Sequence, residues 1–478
     1  MLKYMQGKIM LTKENYLEKR QEIVDANTNL LGVYLHDQEA QLNDKLTKLK
    51  QEFKDACGGN IPYDMPVLTD KRITDSRLYK FCSMLPKGAD LHVHDLAQLP
   101  ISELCKILMK RDDIYVNTIG TAHELIDIKT VDAIPEGYML FRDAVNAKKF
   151  TDEDLLYSWT LLGASKEGKS VWEFFEDLFV RHAAISDNPD FALDFYHHTF
   201  RYYCEHKIFH TEIHMLLSNK MQVCADTIKT VRQAYYDIKK EYPQLSVKII
   251  GAGMKDDDNN LQISKTSFLN TVYVQETIKD ESDPGHISNF VIGFDLINEE
   301  DNSLPLSAFA PFLIDAKTQY PDMKFYIHSG ESLDAKNDNL IDAYLLGVAR
   351  VGHGMNLYRY PDLLNRYANS EICLEVCVIS NQTLGYTTDV RVHPATEYLR
   401  RGVAIALCSD DPTYQEHETL TDDFFAGIVS WDLDIADIKQ LAINSLVYSG
   451  LDEYEKVKAL KALNKAWQEF VKEANDLF

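Results

Sequence analysis

Long apolar runs are missing from this 478-residue sequence: no window of about 18 apolar residues exists, so no membrane-spanning helix is expected. The opening Met1-Leu-Lys-Tyr-Met-Gln-Gly-Lys8 lacks the continuous apolar core of a secretory signal, and none is expected. Cysteine is sparse. The eight residues at 57, 82, 105, 204, 224, 373, 377 and 408 form no CxxC and no dense framework, which argues for reduced, mostly buried thiols in a cytoplasmic protein. The one glycosylation sequon, Asn381-Gln-Thr383, lies in a motif region and fits that reading. Positive charge is short as well, 50 Lys and Arg against 74 Asp and Glu, a formal net charge of −24. Nucleic acid and anionic membrane both need a basic face, so neither is expected as a partner; a small neutral molecule remains open. The step Gly251-Ala-Gly253 lacks the third glycine and the following helix of a dinucleotide fingerprint, and reads as a turn.

What is present is a large apolar fraction, 45%, arranged in a repeating order. Apolar runs at 89–94, 209–215, 247–252, 290–297, 324–329, 348–352, 372–379 and 403–409 alternate with helical segments. Near-continuous apolar strands between helices imply a parallel sheet covered on both faces, and eight of them predict an α/β protein built as a closed (β/α)8 TIM barrel. Ahead of it, residues 1–80 read as an N-terminal helical extension. Leu42, Leu46, Leu49 and Phe53 fall on one stripe there, either a helix laid on the main domain or a dimerisation arm. Asn60-Ile-Pro62, Met65-Pro66 and Leu85-Pro-Lys-Gly88 break the helical pattern before the first strand. The barrel is expected over 81–478. Residues 96–208 are too long for an ordinary βα connection and read as a helical insertion after the first strand, a lid or wall, with helices over 102–110, 152–162 and 171–182. Its Trp172 reads either as core or as the lining of a pocket for a flat ring. From about residue 416 the chain reads as helical.

Polar residues collect where the strands end. Ala89-Asp-Leu-His-Val-His-Asp95 places His92 and His94 on one face of a strand, with Cα atoms about 7 Å apart. His328-Ser-Gly-Glu331, Gly352-His-Gly354 and Ser409-Asp-Asp-Pro412 each close another apolar run. Active sites of such barrels sit at the C-terminal strand ends. Three imidazoles and one carboxylate around an ion with an open position describe a catalytic zinc site, in which the ion lowers the pKa of a bound water towards neutrality. Glu331 is the natural general acid or base, and His353 a second group for steering or deprotonating the water. Of Asp410 and Asp411, one is expected to bind metal and the other to hydrogen-bond substrate.

With Met84-Leu-Pro-Lys-Gly88, Leu374-Glu-Val-Cys377, Ile379-Ser-Asn-Gln382 and Leu441-Ala-Ile-Asn-Ser445, these motifs resemble the adenosine deaminase family, in its growth-factor-type branch. The resemblance spans nearly the whole chain. It implies one Zn²⁺ per chain, held by His92, His94, His328 and Asp410. It further implies that Glu331 protonates purine N1, His353 orients the attacking hydroxide, Asp411 bonds N7, and Asp95 and Trp172 lie near the ribose. The branch dimerises through its N-terminal helices, so a homodimer is expected. Two departures stand out. The signal peptide and disulfide-bearing insert of secreted members are not found, and in Asp295-Leu-Ile-Asn298 an asparagine takes the place of the glycine whose N–H meets purine N3. The expected activity is hydrolytic deamination of adenosine or 2′-deoxyadenosine to the inosine product and ammonia. The alternatives are AMP, adenine or an N6-modified adenosine as substrate, or a non-catalytic nucleoside-binding or signalling protein. No obvious basic cluster accompanies the strand-end motifs, which argues against a nucleotide, although Lys87, Arg359 and Arg391 lie near them in sequence.

Overall fold

The eight apolar runs are eight strands: β1 Gly88–His94, β2 Ile208–Leu216, β3 Ser246–Met254, β4 Val291–Ile297, β5 Lys324–Ser329, β6 Arg350–His353, β7 Cys373–Val376 and β8 Ala404–Leu407. They are taken from a computed structural model that describes residues 15–28, 34–59, 71–186, 188–255 and 258–478. Each strand pairs in parallel with the next in chain order. Beyond β8, Asp410 bridges to Val93; its N–H donates to the His92 carbonyl at 2.8 Å, and its carbonyl accepts from His94 N–H at 3.2 Å. That seam closes the (β/α)8 barrel. One expected strand was too long: in 372–379 only Cys373–Val376 is extended, and Val378–Thr383 is a short helix.

The extension contains α1 Tyr16–Thr28 and α2 Asp37–Ala56, and the breaks at 60–62 and 65–66 lie outside the described residues, as does the opening Met1–Lys8. On α2 the stripe Leu42, Leu46, Leu49 and Phe53 is at most 3% exposed. It is covered by the chain itself, because α2 packs against the last helix of the protein. Glu39 at the start of α2 fixes the register, its Oε1 accepting from Lys439 Nζ at 2.6 Å and from Trp467 Nε1 at 2.7 Å. Of the two readings of the stripe, a helix laid on the main domain is the one realised.

Between β1 and β2 the expected helices appear as Ile101–Leu108, Asp152–Trp159 and α3 Val171–Arg181. The insertion is not purely helical, however. Ile114–Asn117 pairs antiparallel with Leu125–Asp127 on one side and Tyr138–Leu140 on the other. Runs of three or four residues carry too little two-residue periodicity to be seen in sequence. The last helix before β2, α4 Pro189–Glu205, packs along α5 Met221–Glu241 and so serves as the barrel's first outer helix. The added wall therefore ends before Pro189. At the other end α6 Ile435–Val447 and α7 Glu453–Leu477 close the exterior, α7 burying Leu463, Trp467, Phe470 and Val471. Among the described residues no helix is long and apolar enough to cross a membrane.

Leu46 is fully buried between these terminal helices. Leu46→Ala is expected to lower unfolding free energy by about 2–5 kcal/mol, read from denaturant titration, because the cavity it leaves cannot collapse freely.

Candidate metal centre and active site

The closing seam delivers the first group of side chains. His92 and His94 point the same way from the end of β1, and Asp410 at the seam adopts φ 63°. This left-handed backbone swings its carboxylate inward, so that Oδ1 lies 3.2 Å from His94 Nε2 and 3.8 Å from His92 Nε2. His328 ends β5 opposite Gly352 of β6, and His353 follows with φ 65°. Gly352 is a glycine for a spatial reason: a Cβ there would stand 2.9 Å from His92 Cε1. The His92 ring occupies the space that any side chain at 352 would take.

His92 is the hub. Its ring centroid lies 5.2 Å from His94, 4.4 Å from His328 and 4.9 Å from His353. Donor atoms of His92, His94 and Asp410 fall within 4.8 Å of one another, as do those of His92, His328 and His353. His92 Nε2 is buried and has no hydrogen-bond partner, while Nδ1 donates to Glu375 Oε2 at 2.8 Å. His328 is held likewise, its Nδ1 donating to Asp295 Oδ2 at 2.7 Å. In each ring a carboxylate behind Nδ1 leaves Nε2 facing the cluster, the arrangement metal-ligating histidines use. His214 stacks on His92 at 4.6 Å, but both its ring nitrogens are engaged, by Asp295 and by the Leu91 carbonyl. It supports the cluster without offering it a donor. Imidazole nitrogens with a carboxylate suit a divalent ion such as zinc, and the orphaned Nε2 of His92 is the atom that such an ion would satisfy.

Burial and charge sort the remaining groups. Burial holds His92 and His328 down at about 4 and His353 at about 3, so all three rings are neutral at physiological pH. For His94 burial works against the charge, but Asp411 and Asp410 outweigh it and raise the ring to about 9. The adjacent aspartates part company. Burial opposes the charge on Asp410, yet the hydrogen bond from His94 and the neighbouring rings hold it well below the usual carboxylate range. Burial and then the Asp410 charge push Asp411 well above that range, and its Oδ1 is buried without a partner. Glu331 is 3% exposed, and burial, followed by the charges of Asp410 and Glu300, raises it far above an ordinary glutamate. Its Oε1 makes no hydrogen bond and lies 3.5 Å from His353 Nδ1. The turn that carries it is pinned by Glu300, whose Oε2 accepts from Gly330 N–H at 2.8 Å and whose Oε1 accepts from Lys255 at 2.9 Å. Carboxyls shifted in opposite directions, Asp410 down and Asp411 and Glu331 up, thus lie together beside the imidazoles, a division suited to holding an ion and donating protons.

The other predicted residues stand around this group. Trp172 is half-buried in an apolar wall with Met355, Leu384, Tyr386 and Tyr414, and its Nε1 donates to the Tyr386 hydroxyl at 3.2 Å. Asp95 follows His94, and its carboxylate accepts from the Tyr196 hydroxyl of α4. Asn298 lies at the tip of β4 with φ 110°, a backbone region that favours glycine, so the conformation persists although the side chain has changed. The three nearby cations are committed elsewhere. Lys87 precedes β1 and bonds the Leu85 and His206 carbonyls, Arg359 bonds the Leu333 carbonyl, and Arg391 pairs with Asp389. Sequence reasoning did not pick out Glu375, Asp295, His214 or Glu300. The signal for the first two was a lone charge inside an otherwise apolar strand.

A family model described as adenosine deaminase matches residues 162–466, which takes in β2 to β8 and more than half of the chain. The chain belongs to the adenosine deaminase family. Adenosine deaminase 2 of Dictyostelium discoideum is 28% identical over 91% of this chain and 82% of its own length. Adenosine deaminase of Phlebotomus duboscqi is also 28% identical, over 96% of this chain and 92% of its own. The first of these supports the growth-factor-type branch. Among solved structures, an amidohydrolase from Burkholderia ambifaria with bound zinc superposes with a TM-score of 0.60 at 17% identity, over 83% of this chain and 94% of its own, which supports the barrel fold.

Asn298→Gly is expected to stabilise the protein by about 1 kcal/mol, because a non-glycine residue at this φ costs about that much. Thermal unfolding of the two proteins in parallel reads the difference.

Proposed function

We propose that the chain is a zinc-dependent aminohydrolase that converts adenosine or 2′-deoxyadenosine to the inosine product and ammonia. The observation that carries this reading is the pairing of Glu331, a buried carboxyl with a free oxygen, with the His92 cluster beside it. A pure binding protein has no use for a protonated acid at that place. In this reading His92, His94, His328 and Asp410 hold the ion. Once bound, zinc supplies a strongly nucleophilic water oxygen near neutral pH.

The protein's own groups do the rest. Asp411, raised well above the usual carboxylate range by burial and the Asp410 charge and with its Oδ1 free, donates to purine N7 and fixes the ring. Glu331 gives its proton to N1, which drains electron density from C6 as water attacks there. His353, neutral and 3.5 Å from Glu331, orients that water. Of the water's two protons one returns to Glu331 and the other passes to N6; the C6–N6 bond then breaks, ammonia leaves, C6 keeps the water oxygen and N1 keeps its proton. Asp95 and Trp172 border the ribose side. The engaged state of Lys87, Arg359 and Arg391 favours a nucleoside over a nucleotide, since phosphate needs available cationic donors. The side chain of Asn298 beside the base keeps a second reading in play, in which another 6-aminopurine is preferred.

The cysteines at 82, 105, 204, 224, 373, 377 and 408 are free thiols, which fits a cytoplasmic setting. A homodimer belongs to the same proposal, but through residues ahead of α2, where Leu17 is 72% and Tyr34 79% exposed. Light scattering on the full chain and on a chain lacking residues 1–35 tests it: the full chain should be dimeric and the shortened one monomeric, and a monomeric full chain refutes it.

Loss of adenine absorbance with adenosine, deoxyadenosine, AMP, adenine and N6-methyladenosine tests the activity. The nucleosides should lead, and a tenfold preference for AMP or adenine would overturn the nucleoside assignment. Glu331→Gln should lower kcat by about 10²- to 10⁴-fold while inosine binding persists. The protonated acid is the active form, so on the alkaline side activity should fall as pH rises through the raised pKa of Glu331. An ordinary glutamate would place that fall near pH ~4.3. A fall already complete by pH 5 would contradict the role given to this residue.

A further inference from the structure

The interior of the barrel below the metal cluster is charged, where barrels of this kind are usually filled by branched aliphatic side chains. Arg350, the first residue of β6, is fully buried between Glu375 of β7 and Glu212 of β2, both also fully buried. Its Nε donates to Glu375 Oε1 at 2.5 Å and its Nη2 to Glu212 Oε2 at 2.5 Å. Nη1 donates to the Tyr448 carbonyl at 3.0 Å, and the Tyr326 ring covers the guanidinium at 4.1 Å. Glu212 is itself fixed, accepting from His210 Nε2 at 2.9 Å and from Gly450 N–H at 2.5 Å. The other oxygen of Glu375 accepts from His92 Nδ1. An unbroken chain of charge-assisted hydrogen bonds therefore runs from the start of the barrel to the hub of the cluster.

A buried ion triad is a poor way to gain stability, because desolvation of the charges offsets their attraction. Its geometric effect is strong. A carboxylate with one oxygen held by a buried guanidinium N–H has its second oxygen fixed in direction, and an imidazole facing that oxygen must carry its proton on Nδ1. We propose that Arg350 is a positioning residue for the metal centre: through Glu375 it fixes His92 as the Nδ1–H tautomer and aims Nε2 at the ion. The inference rests on the zinc reading above and extends it to a residue at the opposite end of the barrel from the chemistry.

The test is zinc affinity of the full chain, stripped and reloaded against a chromogenic chelator, with thermal unfolding of the stripped protein as the folding control. Arg350→Met combined with Glu212→Gln keeps the buried net charge unchanged and removes the guanidinium. Its zinc Kd should weaken tenfold or more, and so should that of Glu375→Gln, within the range found for outer partners of ligating histidines. Folded variants whose Kd stays within about twofold of wild type overturn the inference alone. A wild-type chain that binds no zinc overturns the function reading and this inference with it. If the variants fail to fold, ¹⁵N-histidine NMR of the zinc-loaded wild type decides: His92 protonated on Nδ1 supports the assignment, and a proton on Nε2 overturns it.

Discussion

Closure of the barrel and assembly of the metal cluster depend on one backbone event, the pairing of Asp410 with β1. Asp410 N–H to the His92 carbonyl and His94 N–H to the Asp410 carbonyl join the last strand to the first. The same residues then present a carboxylate and two imidazoles to one point. The left-handed backbone at Asp410 is the strain accepted for this. His353 shows the same conformation at the end of β6. Two strained residues at strand ends, both in the cluster, mark where the fold trades stability for geometry.

The electrostatics follow from burial of several carboxyls in one cluster. They cannot all ionise, so each takes the state its neighbours permit. Asp410 faces imidazoles and is held low, while burial and then the Asp410 charge raise Asp411 and Glu331. Carboxyls of opposite shift are thereby produced by packing, with no special residue type. The outer carboxylates do different work: Asp295 and Glu375 each meet an Nδ1 and leave Nε2 facing inward. Of the imidazoles gathered here, His214 alone has both nitrogens engaged, which is how the cluster separates support from ligation.

Much of this was legible in the sequence. The barrel strands announced themselves because strands buried on both faces are apolar throughout, and the ligand motifs because histidines and aspartates closed those runs. Which of Asp410 and Asp411 turns its carboxylate to the β1 histidines was not legible from the residues, since neighbours in sequence differ only through backbone direction, which the positive φ of Asp410 sets. The stripe on α2 was readable as a helix face, but its partner, the helix carrying Trp467, lies some four hundred positions away in the chain, and pattern cannot name it. The small sheet at 114–140 was invisible because its strands are three or four residues long. Arg350, Glu212 and Glu375 stand in three separate strands, and only the folded barrel makes all three neighbours.

Anomalous diffraction at the zinc edge, on crystals of the zinc-loaded protein, tests the central claim most directly. The account predicts one peak per chain, about 2.0–2.2 Å from Nε2 of His92, His94 and His328 and from a carboxylate oxygen of Asp410. A peak bound instead by His214 or Glu375, or no peak at the strand tips, would contradict it.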